Sequence, residues 1–209
     1  MSPMAKLVYA AIASLDGYVA DEHGDFSWSM PDEEVHNFVN DLERPIGTHL
    51  YGRRMYEVMK VWERDEILTG QPPCMHDYAE IWRAAEKIVY SRTLDDVSTS
   101  RTRLERTFDP AAVRELKETA DRDISIGGPE LAAQAIEADL VDEIHLLLAP
   151  IAVGAGKAAL PIRSHLPLQL LGHRSFRNGT VYLRYRVVGG SSQDSARRKE
   201  ALRDGRSHH

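Results

Sequence analysis

The chain has 209 residues, 43% of them hydrophobic, a formal net charge of −6 and one cysteine. That length fits a single domain with a sizeable core, and the negative balance argues against nucleic acid or an anionic membrane as the main partner. Cys74 alone excludes an internal disulfide and suits a reducing, cytoplasmic setting. No run approaches the ~18 apolar residues of a membrane span, and beyond Lys6 the N-terminus has no basic segment of signal-peptide type.

Residues 6–14 (KLVYAAIAS) form an apolar, partly β-branched run, as expected of a central strand buried on both faces. The turn Ser14-Leu15-Asp16-Gly17-Tyr18 follows. Residues 21–29 are polar and contain glycine, hence a loop, yet they carry Phe26 and Trp28. Aromatic residues near a strand end cover either a ligand or the core. Pro31 opens a helix to about Leu42, with Asp32, Glu33 and Glu34 in the first turn, where negative charge suits the dipole. Val35, Phe38, Val39 and Leu42 supply its apolar stripe.

Residues 48–51 read as a short strand ending at Gly52, and residues 53–59 as a helix. Arg53 and Arg54 in its first turn oppose the helix dipole, so they are either solvated or holding an anion. Gly70, Pro72 and Pro73 make residues 67–75 a loop. Residues 76–86 read as a helix with Tyr78, Ile81, Trp82 and Ala85 on one side. Residues 87–90 (KIVY) read as a strand, followed by Ser91-Arg92-Thr93, whose hydroxyls and arginine either hold a phosphate or form an exposed turn. Residues 101–108 alternate like a strand. Asp109 and Pro110 are the cap and first residue of a helix to about Thr119.

Residues 123–150 (DISIGGPELAAQAIEADLVDEIHLLLAP) read as strand, glycine turn, helix, strand. Gly127-Gly128 ends the first strand, Pro129 takes the first helical position, and Leu131, Ala132, Ala135 and Ile136 recur at helical spacing. Glycines at a helix N-terminus let the backbone approach a ligand and aim free N–H groups at it, which favours phosphate. The alternative is a plain turn. Residues 151–161 contain Val153-Gly154-Ala155-Gly156-Lys157, a flexible turn segment. Residues 166–176 and 180–188 read as two antiparallel strands joined by Arg177-Asn178-Gly179. From Gly189 the chain reads as a polar, charged tail, either mobile or partly helical, ending in the tag-like Arg206-Ser207-His208-His209.

This alternation implies an α/β protein with a mostly parallel sheet and antiparallel strands at one edge. Such sheets bind ligands at the carboxyl ends of their strands. Asp16-Gly17, Gly52-Arg53-Arg54, Ser91-Arg92-Thr93 and Gly127-Gly128 each follow a predicted strand directly, so one edge collects four polar or anion-friendly turns.

Five pieces carry a family resemblance: Ser14-Leu15-Asp16-Gly17-Tyr18-Val19-Ala20, Tyr51-Gly52-Arg53-Arg54-Met55-Tyr56-Glu57, Ser91-Arg92-Thr93, Ile126-Gly127-Gly128-Pro129-Glu130-Leu131 and Pro150-Ile151-Ala152-Val153-Gly154-Ala155-Gly156. In this order, over residues 6–188, the chain resembles the dihydrofolate reductase-like superfamily, in the branch of the reductase domain of bacterial riboflavin biosynthesis. The resemblance implies a three-layer α/β/α domain over residues 1–188 and an NADPH-dependent reductase. It also implies a homodimer with the antiparallel edge strands as the contact.

By motif, Gly127, Gly128, Pro129, Glu130 and Leu131 would take the diphosphate. Gly52, Arg53, Arg54, Ser91, Arg92 and Thr93 would surround the adenosine 2′-phosphate. Arginine's planar fork suits that dianion and is the reason to expect NADPH over NADH. Ala11 and the Asp16-Gly17 turn would lie beside the nicotinamide. The stretch Trp28-Ser29-Met30-Pro31-Asp32-Glu33 resembles the family's Trp-x-Leu-Pro-x-acid pattern, in which Glu33 is either the acid or a solvated first-turn carboxylate; Asp16 is the other candidate acid or else a turn-former, and water is the remaining proton source. Trp28 and Tyr56 would face the substrate.

The chain departs from folate reductases at Met55, where they usually have threonine, and has no match for the arginine that clamps the folate tail. The expected substrate is therefore a small pterin-, flavin- or aminopyrimidine-like heterocycle other than folate. No zinc-deaminase motif accompanies the domain, and no metal is expected. A non-catalytic nucleotide-binding module and a flavin-binding protein on the same turns stay open as alternatives.

Overall fold

The computed structural model of the chain describes residues 4–188; the expected tail from Gly189 lies outside them. The elements are β1 (Leu7–Ser14), β2 (Tyr18–Asp21), α1 (Glu33–Glu43), β3 (Ile46–Gly52), α2 (Arg53–Met59), α3 (Pro73–Ala84), β4 (Glu86–Tyr90), β5 (Thr102–Glu105), α4 (Pro110–Thr119), β6 (Asp123–Gly127), α5 (Pro129–Glu137), β7 (Glu143–Ala149), β8 (Gly156–Ala158), β9 (Leu168–Ser175) and β10 (Val181–Val187). Short 3-10 turns occupy Ser27–Ser29, Lys60–Glu63 and Asp65–Leu68.

The helix starts follow from local chemistry. Asp32 Oδ1 accepts the Val35 N–H at 2.9 Å, so Asp32 is the cap and α1 begins at Glu33, two residues later than Pro31 suggests. The same device starts α4, where Asp109 Oδ1 accepts the Ala111 N–H at 2.9 Å ahead of Pro110. The breaker cluster at residues 70–73 is a helix start as well as a loop: Pro72 caps α3 and Pro73 is its first residue, ahead of the expected His76.

The strands assemble in the order β5-β4-β3-β6-β1-β7-β10-β9. From β5 to β7 all neighbours are parallel; β10 runs antiparallel to β7, and β9 antiparallel to β10. This is the mostly parallel sheet with an antiparallel C-terminal hairpin that the sequence implies, with β1 in its interior. A separate antiparallel pair, β2 with β8, was not expected. β8 has only three residues between glycine-rich neighbours, too short for an alternating signal.

Alternation along the strands divides the core into two layers. Leu7, Tyr9, Leu50, Ile88, Ile124, Ile126 and Ile144 pack with Val113 of α4 and Leu131, Ala132, Ala135 and Ile136 of α5. On the other face Tyr51 and Val89 meet Tyr56 of α2 and Tyr78 and Trp82 of α3, and Leu147 and Tyr182 meet Val35 of α1. Each fully buried aliphatic side chain contributes roughly 1.5–3 kcal/mol, so both layers are needed to hold the sheet.

One buried carboxylate ties three strands together. Glu143, at the start of β7, accepts Lys6 Nζ at 2.9 Å, Arg184 Nε at 2.7 Å and Arg184 Nη2 at 3.1 Å, and pairs with His145 Nε2 at 3.1 Å. Burial pushes its carboxyl up, but the hydrogen bonds from Arg184, Lys6 and His145 outweigh burial and hold it at about 2. A carboxyl lowered from 4.5 stabilises the fold above that ordinary value and loses the contribution as pH falls toward the folded value. Glu143→Gln is therefore expected to lose about 2–3 kcal/mol in neutral denaturant titrations, and to show a shallower fall in stability than the parent between about pH 5 and pH 3.

Candidate functional site

The parallel sheet places the carboxyl ends of β4, β3, β6, β1 and β7 along one edge. Tyr51 pairs with Gly127 and Gly52 with Tyr90, so three turns sit side by side there: Gly52-Arg53-Arg54, Ser91-Arg92-Thr93 and Gly127-Gly128. Beside them the sheet is split. β1 pairs with β6 only as far as Tyr9 with Ile126, but continues along β7 to Ser14 with Ala149. Beyond Tyr9, β6 has ended and turned into α5, which leaves a crevice along β1.

The main chain of β1 alternates between its two neighbours. Lys6 O accepts from Ile124 N beside β6, and Leu7 O accepts from Asp142 N beside β7. By this parity Ala10 N–H closes the last ladder bond, to Ile126 O, while Ala10 C=O and both main-chain groups of Ile12 face the crevice. Ala11 directs its own to β7 and packs its methyl on the α4/α5 layer. Ala10, Ala11 and Ile12 are partly exposed although the strand lies inside the sheet. The sequence places Ala11 beside this opening but does not single out the main chain of Ala10 and Ile12, because parity depends on which neighbour each residue faces.

The glycines at the crevice have distinct roles. A Cβ on Gly127 would lie 2.9 Å from the Tyr51 ring, so only glycine lets the end of β6 pass it. Gly128 is the N-cap of α5 with φ +96°, a conformation that L side chains resist. Pro129 follows at the first helical position, and Glu130 and Leu131 continue that turn. The helix start thus presents main-chain N–H groups beside the opening. Gly17, at φ +90°, makes the turn after β1, where its N–H donates to Ser14 O at 2.9 Å.

Arg53, Arg54 and Arg92 of the neighbouring turns are all exposed. Arg53 Nη1 donates to Thr93 Oγ1 at 2.9 Å, which joins the β3 and β4 turns directly. Lys157 of β8 reaches Glu130 Oε1 at 3.1 Å across the start of α5. It is a cation near the glycine turn that sequence reading left inside a flexible segment.

The acids at the edge differ in what already occupies them. Asp16 accepts Ser14 Oγ at 2.6 Å, Gly154 N at 2.7 Å and Val153 N at 3.1 Å. The Ser14 hydroxyl and then the Gly154 N–H hold its carboxyl below the usual carboxylate range. These bonds make Asp16 an anchor between the turn after β1 and the segment after β7. In the first turn of α1, Asp32 is the cap and Glu34 faces Arg174 Nη2 at 3.5 Å and Arg177 N at 3.4 Å. Glu33 is exposed, and its carboxylate makes no hydrogen bond among the described residues.

Trp28 lies in the 3-10 turn beside β1, half-buried, with Nε1 donating to Asp25 O at 3.2 Å. Its loop bonds mainly within itself: Asp25 accepts Ser27 N and Ser27 Oγ, each at 2.9 Å, and Ser29 Oγ donates to Phe26 O at 2.7 Å. Leu15, Phe26, Met30 and Ile151 are exposed apolar side chains of this end of the molecule. Tyr56 is placed otherwise than expected. It is 1% exposed, packed with Tyr78 and Trp82, and its hydroxyl accepts Ser98 N at 2.8 Å, so it is a core residue rather than a substrate contact. Its motif follows a strand end, but the helical turn carries its ring back into the layer beneath.

A second polar group has the residue types of a nucleophile, a base and an acid. His49 Nδ1 lies 2.6 Å from Ser125 Oγ and 3.7 Å from Glu43 Oε2. His49 and Ser125 are buried inside the sheet, and burial lowers the imidazole to about 3. No substrate reaches this serine, and an imidazole held neutral there is a packing element.

The class of protein follows from the split sheet and its order. Dihydrofolate reductase from Enterococcus faecalis, solved with NADP(H) and RAB-propyl, superposes with a TM-score of 0.56 at 12% identity, covering 88% of this chain and 97% of that one. A protein of Shewanella sp. PV-4, provisionally described as a riboflavin biosynthesis protein, superposes with a TM-score of 0.68 at 19% identity, covering 88% and 99%. The fold is dihydrofolate reductase-like. In sequence, the uncharacterized protein YyaP of Bacillus subtilis (strain 168) is 24% identical over 188 residues, 88% of this chain and 96% of its own. Residues 5–182 match the model of the RibD C-terminal domain, and the chain belongs to that family.

The two glycine environments at the crevice make opposite predictions for an added methyl. Gly128→Ala forces an alanine to φ +96° and is expected to lose about 1–2 kcal/mol in chemical denaturation. Gly52→Ala, at φ −74° with open space around its Cβ, is expected to stay within about 0.5 kcal/mol of the parent.

Proposed function

We propose that the chain is an NADPH-dependent reductase of a small planar heterocycle of the pterin, flavin or aminopyrimidine kind. The observation that carries this reading is the strand register. It sets a φ-positive glycine cradle, two arginine-bearing turns, one of them with hydroxyls, and the unpaired edge of β1 side by side. Family membership supports it, since a neighbour of the same fold was solved with NADP(H).

The residues present suit a phosphorylated dinucleotide. Gly127, Gly128 and the first turn of α5 (Pro129, Glu130, Leu131) would hold the diphosphate through main-chain N–H groups, with Lys157 within reach. Arg53, Arg54, Ser91, Arg92 and Thr93, entered past Gly52, would hold the 2′-phosphate, where guanidinium forks match a dianion. The main chain of Ala10 and Ile12, with Ala11 and Gly17 beside it, would face the nicotinamide amide. When bound, NADPH supplies the hydride.

The chain's own tasks are orientation, exclusion of water and delivery of a proton. Asp16 fixes the turn after β1 against residues 153–154. Trp28 and the apolar side chains near it would cover a flat substrate. Glu33, the one first-turn acid of α1 without a hydrogen-bond partner among the described residues, would pass a proton to the substrate or to a water beside it. Two copies would associate along the outer edge of β9, where Leu168 and Leu170 are exposed. We place the protein in the cytoplasm, in keeping with its single free thiol.

Fluorescence titration of the parent with NADPH and NADH, followed by turnover with a panel of heterocycles, tests the reading; failure to bind either nucleotide removes it, and binding without turnover favours a non-catalytic module. Arg53→Gln is expected to weaken NADPH about tenfold while leaving NADH nearly unchanged. Glu33→Gln should lower kcat by about a hundredfold or more with NADPH affinity retained; an unchanged kcat would leave the proton to water alone.

A further inference from the structure

The turn between β4 and β5 is held in one shape from several directions, and one of the holding groups belongs to none of the motifs described so far. Ser91 N donates to Glu105 O at 2.9 Å, which extends the β4–β5 pairing by one bond. Ser91 Oγ accepts Leu94 N at 3.0 Å and Thr93 N at 3.3 Å. Arg106, one residue beyond β5, sets Nη1 2.5 Å from Leu94 O and 3.3 Å from Ser91 O, and so bridges the two ends of the turn. From the side of β3, Arg53 Nη1 holds Thr93 Oγ1, and Arg53 Nε lies 4.0 Å from Glu57 Oε1.

Resting on the reading above, the geometry points to Arg106 as a positioning residue of the 2′-phosphate pocket: by joining the carbonyls of Ser91 and Leu94 it sets Ser91, Arg92 and Thr93 in their phosphate-facing arrangement before the nucleotide arrives. Both lone pairs of Ser91 Oγ are used by main-chain N–H groups, so toward a ligand this hydroxyl acts as a donor. Thr93 Oγ1 likewise receives a guanidinium N–H and has its own hydrogen to donate. A turn that is already ordered does not lose its conformational freedom when the phosphate binds, and the gain falls on the nucleotide that carries the phosphate. Arg106 does this from the far side of the turn, through carbonyl groups, without being one of the phosphate's expected ligands. Its side chain is exposed, so replacing it leaves both core layers intact.

The test is Arg106→Met, which keeps the length of the stem and removes the donor. Three measurements are compared with the parent: affinity for NADPH and for NADH by fluorescence titration, thermal midpoint, and amide hydrogen exchange of the segment containing Thr93 and Leu94 in the free protein. The expected result is NADPH affinity lower by about tenfold, NADH within about twofold of the parent, and a nearly unchanged midpoint. Exchange at Thr93 and Leu94 is expected to be faster. Equal weakening of both nucleotides, or retained NADPH preference, overturns the proposal. Loss of preference with unchanged exchange also overturns it, because the guanidinium then acts by its charge alone. If the parent itself shows no preference for NADPH, the reading of the pocket fails, and the role of Arg106 with it.

Discussion

The arrangement of this edge depends on a mismatch in strand length. β6 ends at Gly127 while β1 runs on to Ser14, and the two strands that flank the difference cannot close it. β7 is already paired with β1 along its whole length, and β3 lies beyond β6. A parallel sheet normally satisfies every interior N–H and C=O group in its ladders. Here part of β1 gives up one ladder, and its polar groups are left facing an opening lined by the glycine turn. The gap is affordable because the rest of β1 is buried and β7 and β10 support its other edge.

Beside the opening the charges fall at different element ends. Arg53, Arg54 and Arg92 gather at the ends of β3 and β4. The acids nearest β1 and α1 are mostly committed to capping or to turns, as Asp16, Asp32 and Glu34 are. The net charge of −6 gives no hint of this gathering of arginines, which exists only because parallel register brings separate turns together.

The sequence disclosed the pieces whose signals are local. Asp109-Pro110 and Gly128-Pro129 announce helix starts because cap and first-turn chemistry is written in adjacent residues. The hairpin after residue 166 announces itself through Asn178-Gly179. The split between β1 and β6 was not legible, because both runs are apolar and their relative offset is set by contacts more than a hundred residues apart. β8 was missed because three residues give no period. Tyr56 was misjudged from motif position because its ring turns inward, and the donors from residues 153–154 that meet the Asp16 carboxylate were out of view; neither fact is carried by neighbouring residues. Arg106 and Lys157 likewise reach their partners only after the strands are in place.

The loop carrying Trp28 has a consequence for how such a protein changes over time. Its polar groups are satisfied largely by one another, through Asp25, Phe26, Ser27 and Ser29, and α1 supplies its own cap at Asp32. The glycine cradle and the arginine turns, by contrast, are built into the ends of core strands. The loop's tie to the strands runs through Asp21 at the end of β2, whose Oδ1 accepts His23 N and Asp25 N at 2.9 Å, so residues 22–31 can change with little penalty to the eight-stranded sheet as long as Asp21 keeps those bonds. Divergence among relatives should therefore concentrate in this loop rather than in the glycine and arginine turns at the strand ends.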